Sequence, residues 1–259
     1  MHLETNSLNK HFGGVAALVD VSLEFPAGQV TAVIGPNGAG KTTLFNAIAG
    51  FIRPDSGSVR LVGGNGTHAS PIELTGSSPQ EIARHGVGVL FQDIRVFSHL
   101  SALENVAVGA ARQTGENPFL AMFRPGSVSR EDRANLDAAR AHLEFVGLAE
   151  KAHLWAGNLS FGQQKLVALA RLLAADSRAL LLDEPTSGIH PDMIDKILGL
   201  IERLADEHGK AVIMIEHNLN VVRRVGDWVY LMNRGRLEVF GKPSEVLRDE
   251  SLKSVYPSL

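Results

Sequence analysis

The chain contains no cysteine, which excludes disulfide crosslinks and thiolate chemistry and fits a reducing compartment. An excess of positive charge is missing too. Lys and Arg number 25 against 28 Asp and Glu, a formal net charge of -3, with a sequence pI near 6.4. A general nucleic-acid binder needs concentrated Lys and Arg to neutralise phosphates, so that class is set aside, leaving room only for a local basic patch. Nor is there an apolar run near the roughly 20 residues that cross a bilayer. The most apolar stretch, LVALARLLAA from Leu166, is broken by Arg171. The start, MHLETNSLNK, lacks the apolar core of a signal peptide. No repeat or low-complexity tract interrupts the chain. The expectation is a cytosolic protein that meets a membrane only through a partner.

What is present is a globular composition: 259 residues, 44% hydrophobic and 20% charged, enough for one large domain or for a core with a smaller subdomain. Short β-branched runs alternate with helical patterns: VTAVI (30–34), VGVLF (87–91), ALLL (179–182) and AVIMI (211–215). Such runs are typical of buried parallel strands. Ser78-Pro79-Gln80-Glu81 is a capping box with Pro at the first helical position and Gly86 as its stop, and Pro191 opens a helix that Gly209 closes. The fold class is α/β with a mainly parallel sheet. The first thirty residues, with SLNKHFGG and ALVDVSLEFPAGQ, predict two strands in a small antiparallel β layer. From Gln92 to Leu182 the pattern is mostly helical, with Leu136, Leu143 and Val146 expected on one buried face and a loop over 112–130. The expected division is residues 1–92 with 176–259 as the core and 93–175 as an inserted helical subdomain.

GPNGAGKT, Gly35 to Thr42, matches GxxxxGK[ST] after a buried strand and before the helix TTLFNAIAG. Gly35, Pro36, Asn37, Gly38, Ala39 and Gly40 form the turn, and its backbone N–H groups, which Pro36 alone lacks, make an anion cradle with the helix start. Lys41 reaches the terminal phosphates, Thr42 can ligate Mg²⁺, and Thr43 follows in the first turn. Side chains larger than glycine at 38 and 40 are expected to obstruct the phosphates. Asp183 follows an apolar strand as a candidate Mg²⁺ holder, and Glu184 can deprotonate the attacking water. Ligands of open α/β sheets bind beyond the carboxyl ends of strands, where Gly35, Gln92, Asp183 and His217 all fall. An amide at Gln92 and an imidazole at His217 supply what a sensor of the γ-phosphate needs. In GNLSFGQQK, Ser160 and Gln163 have capping-box spacing, and the small groups around them suggest that something docks on this helix start.

The P-loop, Gln92, LSFGQQ, LLLDEP and His217 occur in the order found in ATP-binding subunits of ABC transporters, and the chain resembles that superfamily over essentially its whole length. LSFGQ is similar to the family's signature motif, usually LSGGQ. The resemblance implies ATP and Mg²⁺ as ligands, with Thr42, Asp183 and Gln92 at the metal. It also implies a second ATP-binding subunit, identical or related, docked head to tail so that Ser160, Gly162 and Gln163 act in trans. Phe12 would stack on adenine. GPNGAGKTTLFNAIAGFIRPDSG, FQDIRVFSHLSALENVAVG, the insertion near 112–130, IEHNLNVV and the aromatic Phe161 resemble the branched-chain amino acid uptake branch. That branch implies integral-membrane transporter subunits as partners, bound in a groove with Val96, Phe97 and Leu100 as candidate lining. It further implies an extracytoplasmic solute-binding protein met only indirectly, no nucleic acid, and a peripheral place on the cytoplasmic face of the cell membrane. Related importers of urea and amides, exporters and soluble ABC-type ATPases are the alternatives. A kinase or GTPase would lack LSFGQQ. Two departures stand out: His190 in SGIHP, where the branch often has Asn, and the ending SVYPSL.

Overall fold

The computed structural model describes residues 2–63, 70–111 and 125–255. In chain order, β1 (His2–Phe12), β2 (Val15–Phe25) and β3 (Gln29–Ile34) precede α1 (Lys41–Ile48). Then come β4 (Ser56–Val62), β5 (Ile72–Glu73), α2 (Pro79–Arg84), β6 (Val87–Leu90), α3 (Ala102–Val108), α4 (Pro125–Phe145) and α5 (Phe161–Ala174). The chain continues through β7 (Ala179–Asp183), α6 (Pro191–Asp206), β8 (Ala211–Ile215), α7 (Leu219–Val225), β9 (Trp228–Asn233) and β10 (Arg236–Gly241), and ends in α8 (Pro243–Val246) and α9 (Glu250–Val255).

Two sheets divide the strands. One has the order β2-β1-β4-β5 and is antiparallel; the other has the order β10-β9-β3-β8-β7-β6. In the second sheet β3 pairs in parallel with both β8 and β9, and β7 with β8. The hairpin partner β10 runs antiparallel to β9. The burial of these strands explains their composition. Val30 to Ile34 and Ala211 to Ile215 are buried at every position, so nothing in them has to alternate with water. By contrast β2 alternates, with Val21, Leu23 and Phe25 inside and Ser22 and Glu24 outside, as a sheet with one covered face requires.

The described residues form two compact units: Met1–Val89 with Arg178–Thr186 and Asp195–Leu259, and Leu90–Ser177 with Ser187–Ile194. Residues 187–194, assigned to the core from sequence, cluster with the helical unit. The packing gives the reason. Lys165 Nζ donates to the Ser187 carbonyl at 2.9 Å, a Cβ at Gly162 would touch Met193, and one at Gly188 would meet the Phe161 ring.

Three helix starts carry the same reciprocal cap: Ser78 with Glu81, Ser101 with Glu104, and Ser160 with Gln163. Two expectations change. Helix α4 begins at Pro125, inside the stretch read as loop, because proline is favoured at a first helical position as much as in a turn; residues 112–124 lie outside the described residues. Leu143 and Val146 are buried, but Leu136 is 36% exposed, because the buried stripe of α4 is narrower than the apolar spacing suggests. No helix among the described residues is long and apolar enough to cross a membrane.

Candidate active site

The turn after β3 is shaped by backbone close to it. Gly35 has φ 154°, and a Cβ there would lie 2.2 Å from the Met232 carbonyl oxygen. Gly40 has φ 99°, and its Cβ would lie 2.4 Å from the Ala17 oxygen. Packing against Ala17 by itself requires glycine at position 40. Gly38, φ 79°, faces open space, so only its left-handed backbone, and no protein neighbour, favours glycine there. Asn37 and Gly38 form the exposed rim, while Ala39 is buried and its oxygen accepts from Gly235 N–H at 3.0 Å. Helix α1 has no side-chain cap. Where serine caps α2, α3 and α5, Gly40 offers nothing to the first amides of α1, which suits an anion.

Lys41 is 5% exposed. Its ammonium donates to the carbonyls of Gly35 at 2.7 Å and Pro36 at 3.0 Å. Burial lowers its pKa from the ordinary lysine value, and the negative charges of Glu184 and Asp183 oppose that shift. The strand register shows why these groups meet. Val33 pairs with Ile215, and Ile215 with Asp183, so three adjacent strands end in one row. Gly35, His217 and Glu184 follow that row by one or two residues.

Glu184 adopts a left-handed conformation, φ 45°, which costs a non-glycine residue about 1–3 kcal/mol and persists only where its surroundings impose it. Its N–H donates to the Ile215 carbonyl at 3.0 Å, and its Oε1 lies 3.1 Å from His217 Nε2. Next to His217, Glu216 is 3% exposed and accepts the Thr186 hydroxyl at 2.7 Å.

The second unit holds the other predicted residues. Gln92 follows β6 and is exposed. Ser160 caps α5 by accepting Gln163 N–H at 3.4 Å, while Gln163 Oε1 accepts Ser160 N–H at 3.1 Å. Gly162 is buried, Ser160 is exposed, and the ring of Phe161 is 45% exposed with Lys165 Nζ 5.4 Å from its centroid. Asn105, fully buried, closes the turn after Phe97. It accepts Phe97 N–H at 2.8 Å and donates to the carbonyls of Phe97, Leu100 and Ser101. Arg171 donates to the Arg95 carbonyl at 2.7 Å. Phe97 is 52% exposed, and Val96 and Leu100 are half-buried. In the first unit, Phe12 ends β1 at 48% exposure, with Lys10 Nζ 5.5 Å from its ring centre.

The family model described as ABC transporter matches residues 18–187. The chain belongs to the ABC transporter family. It is 35% identical over 98% of its length to the high-affinity branched-chain amino acid transport ATP-binding protein BraF of Pseudomonas aeruginosa, covering 96% of that protein. To the LivG protein of Escherichia coli K12, which bears the same description, it is 34% identical over the same shares. Among solved structures, the ADP conformation of MJ1267, an ATP-binding cassette of an ABC transporter, superposes with a TM-score of 0.83 at 31% identity over 100% of both chains. The dimeric ABC transporter cassette MJ0796 gives a TM-score of 0.73 at 26% identity over 93% of this chain and 98% of the other. The fold is that of an ABC ATP-binding cassette.

Within this cassette the structure brings Lys41, Asp183, Glu184 and His217 together in the first unit, and Gln92, Ser160, Gly162 and Gln163 belong to the second. Sequence reasoning missed Glu216 and Asp55. A carboxylate directly after the all-apolar run AVIMI was the available signal for Glu216. Asp55 had none: its carboxylate accepts Lys10 Nζ at 2.9 Å and His11 N–H at 2.7 Å, across a sheet register no local pattern reveals.

Proposed function

We propose that this cassette is the ATP-hydrolysing subunit of an importer for branched-chain or other amino acids. The observation that carries the proposal is the Glu184 carboxylate 3.1 Å from His217 Nε2, on strand ends adjoining the P-loop strand. A carboxylate carried on a backbone held in the left-handed region and paired with an imidazole is suited to orienting a water and accepting its proton. Lys41 supplies the fixed positive charge for the terminal phosphates. The uncapped start of α1 and the open face at Gly38 support the phosphate-binding role of Gly35 to Thr43.

Mg²⁺ fits the donors of the first unit, a hydroxyl from Thr42 and a carboxylate from Asp183, and Gln92 of the second unit would offer an amide oxygen as a third. Mg²⁺ usually takes one or two carboxylates and leaves other positions to phosphates and water. Bound there, it would neutralise charge on the phosphates. His217 would sense the γ-phosphate, and Phe12, exposed at the end of β1, would stack on adenine.

In a head-to-tail dimer, Ser160, Gly162 and Gln163 would complete the partner's site. ATP drives closure only by binding the closed state more tightly than the open one, which ADP, lacking the γ-phosphate, would not do, and a swing from 1:99 to 99:1 takes roughly 5.5 kcal/mol. Two or three charge-assisted hydrogen bonds at about 1.5–3 kcal/mol each are sufficient. Integral-membrane subunits at the cytoplasmic face would dock on Val96, Phe97 and Leu100, and an extracytoplasmic solute-binding protein would act through them. The names of BraF and LivG support the solute class. Purified wild-type protein is expected to release phosphate from ATP, and Glu184→Gln to keep nucleotide affinity while losing about 10²–10⁴-fold in rate. Hydrolysis by Glu184→Gln at the wild-type rate would remove Glu184 from the mechanism.

A further inference from the structure

Glu216 takes no part in the hydrolytic scheme, yet it is 3% exposed. Burying a carboxylate costs several kcal/mol unless donors replace the lost water. Its donors are specific. Oε1 accepts the Thr186 hydroxyl at 2.7 Å and the Thr186 N–H at 3.4 Å. Oε2 accepts the N–H groups of His217 at 3.2 Å and Asn218 at 3.4 Å. All four donors lie on two stretches of backbone: the one leaving β7 just after Glu184, and the one leaving β8 with His217. Glu184, whose φ is 45°, has its own N–H on the Ile215 carbonyl, the residue before Glu216. The separation of Glu184 Oε1 from His217 Nε2 therefore depends on how these two stretches are held against each other, and Glu216 is the side chain that ties them.

We propose that Glu216 is a positioning residue for hydrolysis, its buried carboxylate stapling the Thr186 backbone to that of His217 and so fixing the Glu184–His217 pair. The inference rests on the hydrolytic reading above. Every contact uses Glu216 as an acceptor. Glutamine in its place offers one oxygen and an NH₂ that faces donors, so about half the staple is lost with little change of volume. A reacting group displaced by about 1 Å can lose on the order of 10²-fold in rate.

The test compares wild type, Glu216→Gln, Thr186→Val and the double variant. Three quantities are read for each: steady-state ATP hydrolysis, affinity for a fluorescent ATP analogue, and melting temperature. Glu216→Gln is expected to hold its affinity within about 2-fold while kcat, measured well below its melting temperature, falls about 10- to 100-fold. Thr186→Val removes one hydroxyl and should lose less. The double variant should lose less than the product of the single losses, because both act on one staple. A purely structural role would lower the melting temperature and leave kcat per folded molecule intact, and that result overturns the proposal, as does strict additivity. Should Glu216→Gln fail to fold, Thr186→Val decides alone: a kcat at the wild-type value overturns the proposal, and a lowered kcat with unchanged affinity supports it. Glu184→Gln is the reference. If it hydrolyses like wild type, the hydrolytic reading fails; if it is inactive while Glu216→Gln and Thr186→Val are normal, only the positioning role fails.

Discussion

Single residues in this cassette do more than one job, and Asp55 makes the point outside the catalytic row. Its bonds from Lys10 and then from the His11 backbone hold its carboxyl down to about 2 from an ordinary value of 3.8. A carboxyl whose folded pKa is depressed adds stability above the unfolded pKa, and that contribution is lost as the pH falls through the folded value. Asp55→Asn should therefore lower the melting temperature at pH 7, and the gap from wild type should narrow steadily below about pH 4. Thermal melts from pH 7 to pH 3 check this; a gap that stays constant would show that the ion pair is not what Asp55 contributes. Because His11 adjoins Phe12, the same contact also anchors the strand end that carries the candidate adenine platform. The meeting of residues was legible where a motif names its own partners, as with Lys41 of GPNGAGKT beside Asp183 and Glu184 of LLLDE. It was illegible where the partner is remote in sequence: Asp55 to Lys10, Glu216 to Thr186, and Gly40 to the Ala17 carbonyl are products of sheet register.

At the scale of elements, the all-apolar runs revealed β3, β6, β7 and β8 because a strand buried on both faces needs no alternation. The edge of the same sheet was harder to read. β10 alternates in burial and pairs antiparallel with β9, so neither its period nor its direction matched the βα pattern of the rest. Pro125 shows the opposite failure, in which one residue type serves both turns and helix starts. The turn after Phe97, which carries the candidate docking residues, owes its form to Asn105 at the fourth position of α3. Asn105→Ala would orphan the Phe97 N–H and leave the carbonyls of Phe97, Leu100 and Ser101 with only their backbone donors. The expected loss is about 1–3 kcal/mol in urea unfolding, with faster amide exchange at Phe97. An effect below about 0.5 kcal/mol would mean that the turn holds itself.

At the scale of the whole molecule, the candidate groups are carried by two compact units, with Lys41, Asp183, Glu184 and His217 on one and the Ser160 helix start on the other. A capped helix start with an exposed serine can still meet a phosphate, since capping uses the Ser160 hydroxyl as an acceptor and leaves it a proton to donate. If the signature acts in trans, Ser160→Arg should leave ATP binding by the monomer within a few-fold of wild type and abolish both hydrolysis and ATP-dependent dimerisation in light scattering. Loss of monomer binding would instead place Ser160 in its own subunit's site or in the fold. The central claim, that nucleotide chemistry in this chain serves transport, is tested most directly by affinity capture. Tagged Glu184→Gln protein is held with ATP and recovered from gently solubilised native membranes. The account predicts that polytopic membrane subunits co-purify, and that they are lost when ATP is replaced by ADP. Recovery of only soluble partners, ribosomes or DNA would contradict it.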